Sequence, residues 1–557
     1  MNAEHLVAHY EQIADATDAI ARLRRFILDL AVRGKLVPQD PNDESASELL
    51  KLIAKERNQR IDRGEMRRGK LLADLEEFPF EPPSGWIWVR LGETGNIFSG
   101  NSINDPTREQ LARVSKGRPF IATKDVGYGL DHINYENGLL VELTDERFRI
   151  ARAYSVFICA EGGSAGKKMG LADREICFGN KLLANETWSV VAPKFTLYAY
   201  MSEFFYEQFS SKMKGVIGGI SIANFLELPL CLPPLAEQHR IVAKVDELMG
   251  LCDRLEAARA NREAARDRLA AASLARLNVP DPETFLADTR FALDALPALT
   301  TRPNQLKQLR QTILSLAVRG KLVPQDPTDE PAFVRRTNDV AELEGRLDAE
   351  IPSNWRWVRV EDVANARLGK MLDKAKNKGR PYPYLRNTNV HWFDIRLDDL
   401  KTILLDDAEF AEYRLENGDV LICEGGHGIG RTAVWGGGFE NLVFQKALHR
   451  VRPGRHLDPS FFAQCCFVYF DAGIMQTYFT GVGIPHFTGR ALAKLVFPLP
   501  PLAEQHRIVA KVDALMSLCD RLEACLTATA ATRRRLLDAL LAEALAPMTD
   551  RELEAAE

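Results

Sequence analysis

Apolar residues recur along this chain in two rhythms. Ile241, Val245, Leu248, Cys252 and Leu255 follow a four-three spacing, the stripe of an α-helix with an a/d seam. Ile508, Val512, Leu515, Cys519 and Leu522 repeat it. Pro233 and Pro234 stand where the first helix begins, since proline is tolerated in a first turn and not beyond. Segments rich in Ala, Arg and Glu carry the first helix to about Leu277 and the second to about Leu545. Each makes a rod of roughly 60 Å at about 1.5 Å per residue. Two such rods related by a two-fold axis would pack antiparallel. The other rhythm fills residues 83–232 and 352–499, where short apolar runs such as YSVFICA and DVLICEGG alternate with glycines and aromatics. These read as mixed α/β globules.

The helical stretches are nearly the same words. LPPLAEQHRIVAKVDELMGLCDRLEA (232–257) returns as LPPLAEQHRIVAKVDALMSLCDRLEA (499–524), changed only at Glu247 against Ala514 and Gly250 against Ser517. LRRFILDLAVRGKLVPQDP (23–41) returns as LRQTILSLAVRGKLVPQDP (309–327). PSGWIWVR returns as PSNWRWVR, KGRPF as KGRPY, and ICAEGGSAGKK is answered by ICEGGHGIGRT, all in the same order. The chain is a tandem duplication. Two copies are too few for a solenoid and point to a pseudo-dimer with equivalent patches.

The expected architecture is α+β: two α/β domains and two long helices in an antiparallel coiled coil, with pseudo-two-fold symmetry. Residues 1–80 form a helical arm, 81–232 the first globule and 233–278 the first long helix. Residues 279–350 form a linker and repeated helical segment, punctuated by Pro280, Pro282, Pro297 and Pro303. Residues 351–499 form the second globule and 500–557 the second long helix. The joins differ: ISIANFLELPLCLPPL is three residues shorter than IPHFTGRALAKLVFPLPPL, and FRIARAYSVFICAEGG lacks the GDVL of the second half. Nine cysteines without a CxxC pair, a polar start and no long apolar run are expected of a cytoplasmic protein with reduced thiols and no membrane association.

Catalytic patterns are missing. There is no HExxH, no GxSxG and no metal-ligand spacing. The Pro-Pro pairs lack the Asn/Asp-Pro-Pro-aromatic form of amino-methyltransferases. GGHGIGRT approaches a phosphate loop but carries Arg431 where lysine is needed. Its glycines make a tight turn that lets backbone approach a ligand, or a plain hairpin with a solvated cation.

The net charge of −5 makes local basic clusters informative. RLGKMLDKAKNKGR (367–380) holds six cations against one acid, and REQLARVSKGRPFIATK (108–124) five against one, at equivalent places. An anionic partner is the natural reading of such a pair. Arginine suits the guanine O6/N7 edge and asparagine the adenine N6/N7 edge. In the first half the candidate DNA contacts are Lys116, Arg118, Thr123 and Lys124, then Lys167, Lys168, Asn180 and Lys181. In the second they are Lys378, Arg380, Arg386, Asn387 and Asn389, then His427, Arg431, Gln445 and Lys446. The two sets differ, as they would if each half reads a different sequence. Two rival readings stay open: a catalytic methyltransferase or nuclease, and a coiled-coil scaffold for protein.

The two LPPLAEQHRIVAKVD…LCDRLE stretches, both LAVRGKLVPQDP stretches, PSGWIWVR with PSNWRWVR, PYLRNTNV and GDVLICEGGHGIGRTAV together resemble one family. It is the specificity subunit of type I restriction–modification systems, with the type IB branch the most similar. The resemblance spans essentially the whole chain. It implies a non-catalytic subunit with two target-recognition domains, each reading half of a bipartite double-stranded DNA site. It further implies helices that fix the spacing, and assembly with two modification (methyltransferase) and two restriction subunits. No cofactor is implied in this chain; S-adenosylmethionine, ATP and Mg²⁺ are expected in the partners.

Overall fold

The structure, a computed structural model, describes residues 16, 18–66, 72, 75, 78–215, 218–278, 283–295, 300–332, 351–373, 377–426, 428–481, 483 and 485–545. It divides into two units, Met1–Asn261 with Ala530–Glu557, and Arg262–Thr529. The divisions fall within the two long helices, Leu235–Asn278 and Leu502–Leu545, of 44 residues each.

Each unit carries the same globule. In the first, an antiparallel sheet runs in the order Gly95–Ser99, Leu182–Thr187, Val156–Cys159, Met169–Leu171. A second sheet has the order Leu140–Val141, Arg118–Ile121, Ile176–Phe178, Ile150–Ala151, and its central pair is parallel, with Ile121 opposite Phe178. In the second unit the sheet order is Ala364–Leu368, Leu448–Pro453, Val420–Cys423, Thr432–Val434. Its companion sheet pairs Arg380–Leu385 with Lys401–Leu405 and, in parallel, with Val443–Phe444. Val156–Cys159 and Val420–Cys423 are buried on both faces, which is why VFIC and VLIC read as unbroken apolar runs.

The chain enters and leaves each globule side by side. The strand Ile87–Arg90 pairs antiparallel with Pro229–Leu232, and Arg356–Arg359 with Val496–Leu499. Immediately after the exit strand the long helix begins.

The four-three stripe does not wait for another helix. Ile241, Val245, Met249 and Cys252 are buried in their own unit's core with Trp86, Trp88, Phe195 and Tyr198. Ile508, Val512 and Cys519 do the same beside Trp355, Phe461 and Phe497. Leu255, the stripe's last member, is 39 % exposed. Helix-on-helix packing comes further along: Leu537 and Leu540 pack on Ala16 and Ala19 in the first unit, Leu274 and Leu277 on Ala292 and Leu309 in the second.

Within residues 1–80 the described helices are Ala19–Val32 and Ala46–Asp62, whose Ile27, Leu28 and Ile53 join the first unit's core, and the repeated segment forms Pro303–Val318. Pro303 starts that helix, whereas Pro280, Pro282 and Pro297 lie outside the described residues.

The expected difference at the second join is an error of alignment. Ile220 donates its N–H to the carbonyl of Ala160 (2.9 Å), as Phe487 does to Glu424 (2.7 Å). Ser221 and Thr488 follow as N-caps of matching short helices, Ile222–Leu226 and Gly489–Ala493. Ile220 corresponds to Phe487 and not to Ile484. The missing GDVL is likewise replaced in shape: Tyr154 adopts φ 66° where Gly418 has φ 89°.

The near-identical words form a clamp. Glu237 accepts from the Trp86 indole (2.9 Å) and the Gln39 amide (3.3 Å). Glu504 accepts from Gln325 (2.7 Å). Gln238 accepts from Ala192 N (2.7 Å) and donates to Pro233 O (3.0 Å), as Gln505 accepts from Asp458 N and donates to Pro500 O. Arg240 forks onto Asp43, and Arg507 onto Asp329. Arg24 reaches Asp253 and Glu256, and Arg310 reaches Asp520 and Glu523. AEQHR thus fastens LAVRGKLVPQDP to the long helix in each unit.

Candidate nucleic-acid interface

Four turns gather at one end of each globule's main sheet. The first leaves the edge strand at Gly100 and Gly369. A Cβ at Gly100 would lie 2.0 Å from the Phe178 carbonyl, and one at Gly369 would lie 2.1 Å from that of Gln445, so only glycine allows the approach. The next residues, Asn101 and Lys370, pair in parallel with Gly179 and Gln445. Their carbonyls accept from Asn180 N (3.1 Å) and Lys446 N (2.7 Å). These two contacts build the second turn, FGNK or FQKA.

The third element is a 3₁₀ turn, Thr123–Asp125 or Asn387–Asn389. Its last side chain folds back: the Asp125 carboxylate accepts from Ala122 N, and the Asn389 amide oxygen from Arg386 N, both at 2.9 Å. Asp125 and Asn389 are both buried.

The fourth is the EGG turn. Gly166 N donates to Cys159 O (2.8 Å) and Gly430 N to Cys423 O (2.9 Å), with Gly162 and Gly426 at positive φ. A loop descends on this turn in each half. Lys214 N donates to Gly219 O (2.8 Å), and Thr480 N to His486 O (2.8 Å). In the first half these turns enclose a cleft of about 590 Å³, lined by Ser99, Glu161, Asn180 and Lys214 among others.

The frame therefore holds most of the expected positions together and sorts them. Lys124, Lys167, Asn180 and Lys181 are exposed on these turns in the first half, and Lys446 in the second. Lys116, Lys378 and Arg380 are exposed too, but stand at the opposite ends of the strands Arg118–Ile121 and Arg380–Leu385 that lead into the 3₁₀ turns. Thr123 offers its carbonyl to Lys168 (3.2 Å), whose ammonium lies 5.6 Å from the Tyr128 ring centre. Arg118 is bound to Glu175 (3.1 Å) and to Leu143 O. Arg431 and Gln445 are half-buried in their turns, and Asn387 donates to Gly425 O at 3.4 Å. His427 lies outside the described residues.

Two expectations change. Asn389 spends its amide inside the protein, donating to Arg396 O (3.0 Å) as well as accepting from Arg386 N, and is turned away from any base edge. Arg386 is ion-paired with Asp399, with only 17 % of its side chain exposed. The basic run 367–380 is also weaker than its letters. Arg367 pairs with Glu412 and Lys370 with Glu409, both on the helix Asp407–Tyr413, while residues 374–376 lie outside the described residues.

Asn101, Glu161, Lys214 and His486 were not among the sequence candidates, yet all lie on these turns. The signal for Asn101 is the glycine before it, matched by LGK in the other half. Glu161 and His486 stand out only once Ile220 is aligned with Phe487.

A family model described as "Type I restriction modification DNA specificity domain" matches residues 83–263 and again 352–529. The type I restriction enzyme EcoAI specificity subunit of Escherichia coli is 29 % identical, covering 94 % of this chain and 93 % of its own. The EcoEI specificity subunit of the same species is 28 % identical over 94 % of each. Among solved structures, the HsdS subunit from Thermoanaerobacter tengcongensis aligns at 20 % identity and a TM-score of 0.46, covering 85 % of this chain and 99 % of that one. A chain from a structure titled for complex assembly and conformational transition of the type I R-M system gives 20 % and 0.49, covering 84 % and 99 %.

Proposed function

We propose that this chain, which belongs to the type I restriction–modification DNA specificity family, reads DNA for such a complex and does no chemistry itself. Each globule is a recognition domain for one half of a split site. The observation that carries this is the twice-built frame of four turns, whose backbone contacts match while its exposed side chains do not: Lys124 against Thr388, Asn180 against Lys446. A frame held constant with variable side chains is how two readers of different sequences are made. Exposed lysines take phosphates and fix the register, and the turn side chains face base edges in the major groove.

The partners follow as part of this reading. Two modification subunits would methylate adenine with S-adenosylmethionine, and two restriction subunits would use ATP and Mg²⁺. The long helices would lie antiparallel as a ruler. At about 1.5 Å per residue each is roughly 66 Å long, against about 34 Å per turn of DNA. Among the described residues no helix is long and apolar enough to cross a membrane. Work on genomic DNA is in keeping with a cytoplasmic location.

The test is to express the chain with its modification subunit and sequence the methylated bases of the host. A split, asymmetric motif with one fixed spacer is expected. Methylation or cleavage by the purified chain alone, supplied with S-adenosylmethionine, ATP and Mg²⁺, would overturn the reading.

A further inference from the structure

At one place the two halves exchange the strand that supplies a side chain. The bridge Glu161–Gly219 of the first half corresponds to Gly425–His486 of the second. A Cβ built on Gly219 would meet the Glu161 Cγ at 3.4 Å, and one built on Gly425 would meet His486 Nδ1 at 2.9 Å. The glutamate side chain therefore lies over the glycine of the descending loop, and the imidazole lies over the glycine of the EGG turn. One spot on the shared frame is filled from opposite sides, by a carboxylate in one half and an imidazole in the other. Neither glycine has a positive φ, so conformation does not demand glycine at either place. At Gly425 a second side chain would collide with the imidazole, whereas at Gly219 a Cβ would make ordinary contact with the Glu161 side chain.

We propose that this spot is a specificity-determining subsite, and that Glu161 reads a base whose major-groove edge offers an exocyclic amino group. This rests on the reading of the chain as a DNA specificity subunit. Glu161 and His486 are both exposed. Glu161 shares its cleft with Lys214 and Asn180, and the backbone of Lys181 receives the N–H of the neighbouring Ala160. A carboxylate on a surface that binds a polyanion is repelled by every phosphate. Only a hydrogen-bond donor on a base repays that cost, and in the major groove the donors are cytosine N4 and adenine N6. The imidazole carries both a donor and an acceptor site, so the second half accepts a different base at the corresponding place.

Three variants test the subsite, each expressed with the modification subunit and read by sequencing of methylated bases. Glu161→Ala is expected to make one position of one half-site degenerate, leaving the other half-site and the spacer as they were. His486→Ala is expected to do the same in the opposite half-site. The position freed by Glu161→Ala is expected to hold cytosine or adenine on one strand in the parent motif. The double change Glu161→Gly with Gly219→His, which copies the second half's arrangement, is expected to install a new preference there. An unchanged motif in both single variants overturns the proposal. So does equal loss of methylation at all sites while the complex still assembles, which would make these residues general contacts. The unsubstituted chain serves as the control for the underlying function: if it yields no split motif, that reading fails, independently of Glu161.

Discussion

Asn389 stands in PYLRNTNV among residues suited to base edges, and the letters alone give no sign that it faces inward. The fold supplies the reason: a 3₁₀ turn leaves the N–H of Arg386 without a partner in the sheet, and a short amide three residues on satisfies it. Asp125 does the same in the first half, so aspartate and asparagine are interchangeable there for a structural reason. Asn389→Ala is expected to cost about 1–3 kcal/mol, from the buried groups it leaves unpaired, measured by urea denaturation. A reader role would instead alter the methylated motif without lowering stability. The cysteines give a second check. Eight are buried and Cys525 alone is exposed. Burial pushes the Cys423 thiol up to about 12 and Cys177 to about 11. One thiol, at Cys525, is expected to react rapidly with a thiol reagent under native conditions; Cys525→Ser should abolish that fast phase. Burial also holds the Glu237 carboxyl above its ordinary 4.5, against the pull of Trp86 and Gln39. The folded chain then binds this proton more tightly than the unfolded chain. Its contribution to stability is greatest in acid and falls as pH rises above 4.5. Glu237→Gln is expected to flatten that fall in denaturation midpoints taken across the acid range.

At the scale of elements, the helices and the duplication were legible because repeated words and a four-three spacing survive without knowledge of the fold. The direction of the stripe was not. A spacing of four and three says that one face is buried and is silent on what buries it. Here the globule's own tryptophans do so, through strands that the sequence places about 150 residues from the helix in the first half. The clamp is hidden for the same reason, since Gln39, Trp86 and Glu237 meet only after folding. It also sharpens why the repeated words are so alike. A partner that docks twice is one constraint; an internal fastening that must be made twice is another. Gln238→Ala would orphan the N–H of Ala192, a loss of about 1–3 kcal/mol. Deleting seven residues from the exposed stretch of each long helix beyond the clamp should lengthen or shorten the unread spacer, or abolish methylation. An unchanged spacer would count against the ruler.

Taken as a whole, the molecule has an acidic total charge, with several exposed lysines on the turns at one end of the first globule and Lys446 on those of the second. DNA affinity of the assembled complex is therefore expected to fall steeply and linearly on a log–log plot against salt. The run of six cations at 367–380 overstates its share, because two of them are already neutralised by Glu409 and Glu412. Net charge counted along a sequence cannot anticipate acids that arrive from another helix.

The paired strands at the neck of each globule have a consequence for inheritance. Leu91 N donates to Leu228 O (2.8 Å), and Val360 N to Leu495 O (3.1 Å), so each reader's two ends sit side by side on the same closing ladder. Everything between those ends can be exchanged without moving the clamp, and the bordering words are almost the same in both halves. Recombination at those borders would shuffle whole readers as cassettes and give new specificities in one step. A chain in which residues 92–227 are replaced by 361–494 should fold, assemble and mark a site composed of two copies of the same half-sequence.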